Sequence, residues 1–361
     1  MRIVHILSPG ENGPTGITEV VLHLSRHQRA LGHEVHAVFI APCPFYRPDD
    51  SWSVVQGRVA FRRFVESFSP QLVVFHSLYK LPYIGWARYL RTRHIPYMVE
   101  MHGASSTDNQ RKSRIKKRIA NLLLFNNFLR KSQAVIYLND AERNNSVFLK
   151  LSRSVVIPNG VDLPDRFVID KAPPAPVKVV YLGRIDMFHK GLDYLVEALT
   201  RVHSRLHGKA MIHFYGYACD DRFQELLRPL ADVAVYHGAA FGEAKAEALR
   251  GGDLFVHTSR YEGMPMAIIE ALSYGMPCLV TPQTNMADLI LDGHAGWVTT
   301  LDAVAIGDTL LQAIDEYENA TVTFRRSARE AVVSYSWPLI AKRSVEVYEQ
   351  YLQPESIKKF T

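Results

Sequence analysis

No stretch of the 361 residues reaches the ~18 consecutive apolar residues needed to cross a bilayer, and the run Leu122 to Phe125 is interrupted by asparagine. An integral membrane protein is therefore not expected. The opening Met1-Arg-Ile-Val-His-Ile-Leu reaches Pro9-Gly10 too soon for the apolar core of a secretory signal, so the expectation is a cytoplasmic protein. Cysteine is scarce: Cys43, Cys219 and Cys278 are odd in number and far apart, which gives neither a disulfide framework nor a zinc ligand set. Low-complexity bias is absent too, and 47% hydrophobic against 22% charged residues leaves enough apolar material to offset chain entropy, which excludes global disorder. The net charge of +6 is small for this length. It suits phosphates, nucleotides or anionic lipid but lacks the concentrated basic surface of a nucleic-acid binder.

What is present is an alternation of short β-rich runs and helix-length amphipathic segments. Arg2 to Leu7 ends at Ser8-Pro9-Gly10, and a helical pattern follows with Val20, Val21, Leu24 and Leu31 on one side, stopped by Gly32. Glu34 to Ile40, Gln71 to Phe75, Ile95 to Met101 and Ala134 to Leu138 repeat the strand signature, which predicts a parallel sheet covered by helices on both faces. Between Leu163 and Lys178 the prolines 164, 173, 174 and 176 crowd a polar stretch that suits a linker. A second series follows, with strands at Val177 to Leu182, Met211 to Tyr215, Val233 to His237, Leu254 to His257 and Cys278 to Thr281. Its first helix carries Leu192, Leu195, Val196, Leu199, Val202 and Leu206 on one stripe. The expected organisation is an α/β chain with an N-terminal domain at 1–165, a linker at 166–176, a C-terminal domain at 177–336 and a last helix within 337–361 that packs on either domain.

In open parallel sheets ligands bind beyond the carboxyl ends of the strands, so residues just after strands carry the chemistry. Gly10, Gly13 and Gly16 follow the first strand and precede a helix N-terminus, where free N–H groups favour an anion; a tight βα turn explains the same glycines equally well. Gly183-Arg184-Ile185-Asp186, with Lys190-Gly191 leading into the next helix, puts an arginine fork and a lysine point charge on one βα loop that fits a diphosphate; ordinary solvated charges are the alternative. After the strand ending at His257 comes Ser259-Arg260-Tyr261-Glu262-Gly263-Met264-Pro265, running into a helix that carries Glu270. Pro265 suits the first helical position. Glu270 is able to accept from both hydroxyls of a ribose and Glu262 to hold a hexose, while two acids favourably placed near a helix N-terminus are the plain reading.

Gly183-Arg184 with Lys190-Gly191, the pair Glu262 and Glu270, Ile157-Pro158-Asn159-Gly160-Val161-Asp162 and His102-Gly103 together resemble the retaining glycosyltransferases of family 4, over nearly the whole chain. The resemblance implies a GT-B fold, two tandem Rossmann-like doubly wound domains with an interdomain cleft. It further implies a nucleoside-diphosphate sugar as donor, held by the second domain with Arg184 and Lys190 on the diphosphate, Glu270 on the ribose, and Glu262 with Gly263 and Met264 near the sugar. His102 would meet the donor hexose, and the Gly13 to Gly16 loop the phosphates. Retaining transfer of this kind needs cations to stabilise the departing phosphate more than it needs a protein base. Asn12-Gly13-Pro14-Thr15-Gly16 departs from the adjacent glycines of many relatives, and His257-Thr258-Ser259 from their proline-serine. No Asp-x-Asp occurs, so no metal cofactor is expected. A nucleotide-sugar epimerase and a binding-only protein are the rivals to transfer.

His33-Glu34-Val35-His36 looks like a shortened zincin motif but lacks a third ligand. For His102 a satisfied core histidine is the plain alternative. Residues 111–129 join a basic stretch, Arg111 to Arg118, to an apolar one. This segment is either a solvated face above a buried stripe or a contact for an anionic membrane surface, which would suit a lipid-linked rather than a soluble glycan acceptor. No nucleic-acid partner is expected. The determinants of base, sugar and acceptor are expected in the pocket walls and in the loops after Ala41 and after Ser105.

Overall fold

The structure, a computed structural model, describes residues 1–9, 16–42, 51–107, 110, 114–165, 176–218 and 222–353. Two compact units divide the chain: 1–160 together with 337–361, and 161–336. Each is built on one parallel sheet. In the first unit the strands are β1 (Arg2–Leu7), β2 (Glu34–Phe39), β3 (Trp52–Val54), β4 (Leu72–His76), β5 (Tyr97–Glu100), β6 (Val135–Tyr137) and β7 (Ser154–Val156). They lie in the order β3-β2-β1-β4-β5-β6-β7. The second unit has β8 (Val177–Leu182), β9 (Ala210–Tyr215), β10 (Ala234–Tyr236), β11 (Leu254–His257), β12 (Cys278–Val280) and β13 (Gly296–Val298), in the order β10-β9-β8-β11-β12-β13. The chain winds outward from β1 and β8 and then returns to the other side of each, so both sheets are doubly wound. The strand order reverses at β1/β4 and at β8/β11, the positions where such sheets open a crevice.

The central strands are apolar on both faces because helices cover both; Leu72 to His76 is buried throughout. The helix Leu192–Leu206 buries all six residues of its expected stripe and packs on the long helix Ala303–Ala331, which breaks at Ala320. Helix Gly16–Ala30 buries Val20, Val21 and Leu24, but it ends before Leu31, whose side chain is exposed. The last helix, Trp337–Leu352, packs against Gly16–Ala30 within the first unit. Trp337 lies across Gly160, where a Cβ would come within 2.2 Å of the indole, which accounts for glycine after Asn159. Strands β3, β7 and β13, three residues each, were not among the strands expected from the sequence. Gly13, Cys43, Cys219, residues 43–50 of the loop after Ala41, basic residues 111–113 and most of the expected linker lie outside the described residues.

Candidate functional site

Apart from Glu270, the expected site residues of the second unit sit on two loops, Gly183–Gly191 after β8 and Thr258–Pro265 after β11, which adjoin because β8 and β11 pair at the strand-order reversal. Gly191 makes this approach possible. Its φ is +64°, and a Cβ there would meet the Thr258 carbonyl oxygen at 2.0 Å. Thr258 Oγ1 in turn donates to the Lys190 and Gly191 carbonyls at 3.2 and 3.3 Å. Arg260 clamps the pair of loops, donating to the Phe188 carbonyl at 2.6 Å and to both oxygens of Asp193 at 2.7 and 2.6 Å, with its guanidinium over the Phe188 and Tyr194 rings.

Between these loops Lys190 and Glu262, to which the sequence reading gave separate duties, are joined: Nζ lies 2.5 Å from Oε1, and both side chains are largely buried. The same carboxylate accepts from Ser259 Oγ at 2.8 Å and lies 3.5 Å from His257 Nε2. Burial by itself would raise the Glu262 carboxyl, but the Lys190 ammonium, then the hydrogen bond and charge of His257 and the charge of His189, hold it well below the usual carboxylate range. Arg184 is half exposed, with Nη2 3.0 Å from His189 Nδ1 and 3.4 Å from Asp186. His189 stacks on Tyr261 and faces its carbonyl through Nε2 at 2.9 Å, and burial lowers its basicity, so the ring is neutral with its proton on Nε2. Met264 and Gly263 are buried, and Pro265 stands one residue before the helix Met266–Ser273 rather than inside it. Glu270, in that helix, accepts from Lys245 Nζ at 2.8 Å. His189, Lys245 and the clamp Arg260 were not singled out in the sequence. A cation on the helix Gly242–Gly251, 25 residues from its acid, leaves no local spacing to find it by.

In the first unit Gly16 opens helix Gly16–Ala30. His102 follows β5 with φ 49°, its imidazole nearly buried, and Nε2 lies 3.0 Å from His76 Nδ1. It is thus a buried, hydrogen-bonded histidine at a strand end. Glu100 lies 3.4 Å from His76 Nδ1 and 3.3 Å from His102 Nε2, and these three side chains are the grouping among the described residues close enough to share an ion. The buried Glu142 carboxylate accepts from the backbone of Gly103 at 2.5 Å and Leu138 at 2.7 Å, which ties the His102 loop to the end of β6. His33 and His36 do not meet: His33 Nδ1 faces the N-terminal amine and His36 Nε2 faces Ser53 Oγ.

Burial lowers His5 to about 4, His102 to about 3 and His76 well below its ordinary 6.5. Burial, reinforced by the Glu142 charge, raises Glu100 to about 8, and burial raises Glu142 to about 7 against the two backbone N–H groups it accepts from. The unfolded histidines take up protons that the folded ones refuse, so stability is lost as pH falls below about 6.5. The raised acids act oppositely: their contribution is full below about 4.5 and is lost as pH rises through 7 to 8. Thermal melts are expected to give the highest midpoint between about pH 5 and 7. A midpoint still climbing on the alkaline side of that window would contradict these assignments.

Residues 15–160 match the family described as glycosyl transferase 4-like domain, and residues 176–316 match glycosyl transferases group 1. The chain is 27% identical over 208 residues to a phosphatidyl-myo-inositol mannosyltransferase of Mycobacterium tuberculosis, a match covering 55% of this chain and 54% of that one. It therefore spans about half the length of the curated relatives it matches. Among solved structures, HepE of Anabaena in complex with UDP superposes with a TM-score of 0.75 at 16% identity, covering 97% of this chain and 100% of that one. Sucrose-phosphate synthase of Thermosynechococcus elongatus does so with 0.74 at 16%, covering 97% and 99%. At such identities these likenesses speak for the GT-B fold.

Proposed function

Because the chain belongs to the glycosyl transferase 4-like and group 1 glycosyl transferase families, one domain in each unit, we propose that it moves a hexose from a nucleoside-diphosphate sugar to a hydroxyl of a glycan or glycolipid, with retention at the anomeric carbon. One juxtaposition carries the reading: Lys190 on the loop after β8, which also carries Arg184, is paired with Glu262 on the loop after β11, where the strand order reverses. Charge develops on the departing diphosphate, and two fixed cations offset it without a metal. The ion pair with Glu262 holds Lys190 in place before the donor arrives. Glu270, steadied by Lys245, takes the ribose hydroxyls. Glu262 with Gly263 and Met264 takes the sugar, His102 contacts the hexose, and the segment around Gly13 and Gly16 contacts the phosphates. HepE, solved with UDP and with UDP-glucose, supports a nucleotide-sugar donor. The test is incubation with uridine, guanosine and adenosine diphosphate hexoses, with and without lipid and glycan acceptors. Release of the diphosphate from one of them, faster with acceptor, is expected. Interconversion of the donor without any acceptor would instead identify an epimerase.

The acceptor side of the proposal is lipid-linked, at the inner face of the cell membrane, in polysaccharide or glycolipid synthesis. Helix Arg114–Ala120 has no buried residue, and a π-helical turn, Asn121–Phe125, follows it. The wide turn divides the apolar run. Phe125, Phe128 and Leu129 enter the core, while Ile115 (76%), Ile119 (54%), Leu122 (75%) and Leu123 (68%) stay exposed beside Arg114, Lys116 and Arg118. Apolar side chains on a basic helix suit an anionic lipid surface, each cation adding about 1 kcal/mol. Replacing Arg114, Lys116 and Lys117 with glutamate is expected to weaken sedimentation with phosphatidylglycerol vesicles about a hundredfold or more. Unchanged sedimentation would remove the membrane from the account.

A further inference from the structure

A buried hydrogen-bond chain in the first unit runs Ser344, Gln28, His5, His76, His102, and its direction is set from one end. Ser344 Oγ donates to the Ala341 carbonyl at 2.7 Å, so its oxygen accepts from Gln28 Nε2 at 2.9 Å. The Gln28 amide oxygen then faces His5 Nε2 at 2.8 Å, and that nitrogen carries the proton. A neutral imidazole protonated on Nε2 has a lone pair on Nδ1. His5 Nδ1 therefore accepts from His76 Nε2 at 2.8 Å, and His76 Nδ1 accepts from His102 Nε2 at 3.0 Å. Each ring imposes its own tautomer on the next, and the chain ends with a lone pair on His102 Nδ1. Glu100 spans the last two rings. Its carboxyl lies 3.4 Å from His76 Nδ1 and 3.3 Å from His102 Nε2, beside the bond that joins them.

We infer that Gln28, His5 and His76 are positioning residues that hold His102 as the Nε2–H tautomer, an acceptor at Nδ1 for a hydroxyl of the donor sugar. The inference rests on the proposed contact of His102 with the hexose, and it narrows the sugar. A neutral hexose offers a hydroxyl proton to that lone pair, whereas the carboxylate of a uronic acid at the same position offers only lone pairs and is disfavoured.

The experiment is long-range proton–nitrogen NMR on the full chain with ¹⁵N-labelled histidine, His102 being assigned by the signals lost in His102→Gln. The native protein is expected to show His102 protonated on Nε2. His5→Phe removes the acceptor for His76 Nε2–H, so His76 reverses and His102 shifts to the Nδ1–H form. His5→Asn, whose Oδ1 takes the place of Nδ1, keeps the native form. If His5→Phe does not fold, Gln28→Met breaks the chain one step earlier and is read the same way. Turnover per KM on the hexose donor is expected to fall about ten- to a hundredfold in the reversed variant, with nucleoside diphosphate affinity unchanged, and to return in His5→Asn. An Nδ1–H tautomer in the native protein, a tautomer unmoved by a folded His5→Phe or Gln28→Met, or one equivalent of bound metal by elemental analysis overturns the inference. A reversed tautomer with unaltered turnover has a different meaning: the chain stands, and the contact of His102 with the sugar falls.

Discussion

Lys190→Ala is expected to lose transfer by about 10² to 10³-fold, the cost of removing one preorganised donor to charge that forms in the transition state. It is also expected to lose about 3–5 kcal/mol of stability, because Glu262 is left buried without its cation. The two losses separate in a second variant. Lys190→Met combined with Glu262→Gln removes both charges and keeps similar volumes, so most of the stability returns while transfer stays low. Urea unfolding and initial rates on the donor identified by screening read the two quantities independently. Recovery of transfer along with stability in the double variant would make Lys190 a structural cation and nothing more.

Gly191→Ala is the second large effect. A left-handed alanine alone costs about 1–2 kcal/mol. Here the added Cβ also runs into the Thr258 carbonyl, so the β8 and β11 loops separate. Gly208 supplies the control in the same unit: its φ is +73°, yet nothing lies within 4 Å of a Cβ built there. Gly208→Ala is expected to show the backbone cost alone, and Gly191→Ala that cost plus several kcal/mol with at least a tenfold weaker donor affinity. Equal losses at the two positions, measured by thermal melts and calorimetric donor binding, would mean that the loop approach does not matter for the site.

Much of this was legible in the sequence, where chemistry and period coincide locally. The stripe from Leu192 to Leu206 declares its helix, and Arg184 with Lys190, or Glu262 with Glu270, lie within one βα connection each. What was not legible depends on strand order. His5, His76 and His102 are 71 and 26 residues apart and meet because β1, β4 and β5 are neighbours, which no spacing along the chain reveals. The bond between Lys190 and Glu262, 72 residues apart, has the same origin in the pairing of β8 with β11. Arg260 is next to a motif residue in sequence, but its partner Asp193 lies 67 residues away at the start of the helix Leu192–Leu206, so its clamping role needs three dimensions.

The resting site is already charge-compensated: Lys190 by Glu262, Glu270 by Lys245, and Arg184 by Asp186. A dianionic diphosphate has to compete with Glu262 for Lys190, which makes the lysine's position with ligand bound the most direct measurement available. A crystal structure with whichever of uridine, guanosine or adenosine diphosphate binds most tightly is expected to place phosphate oxygens within hydrogen-bonding distance of Arg184 and Lys190, and the ribose hydroxyls on Glu270. A nucleotide bound away from the β8 and β11 loops, or bound there with both cations turned from it, would contradict the account.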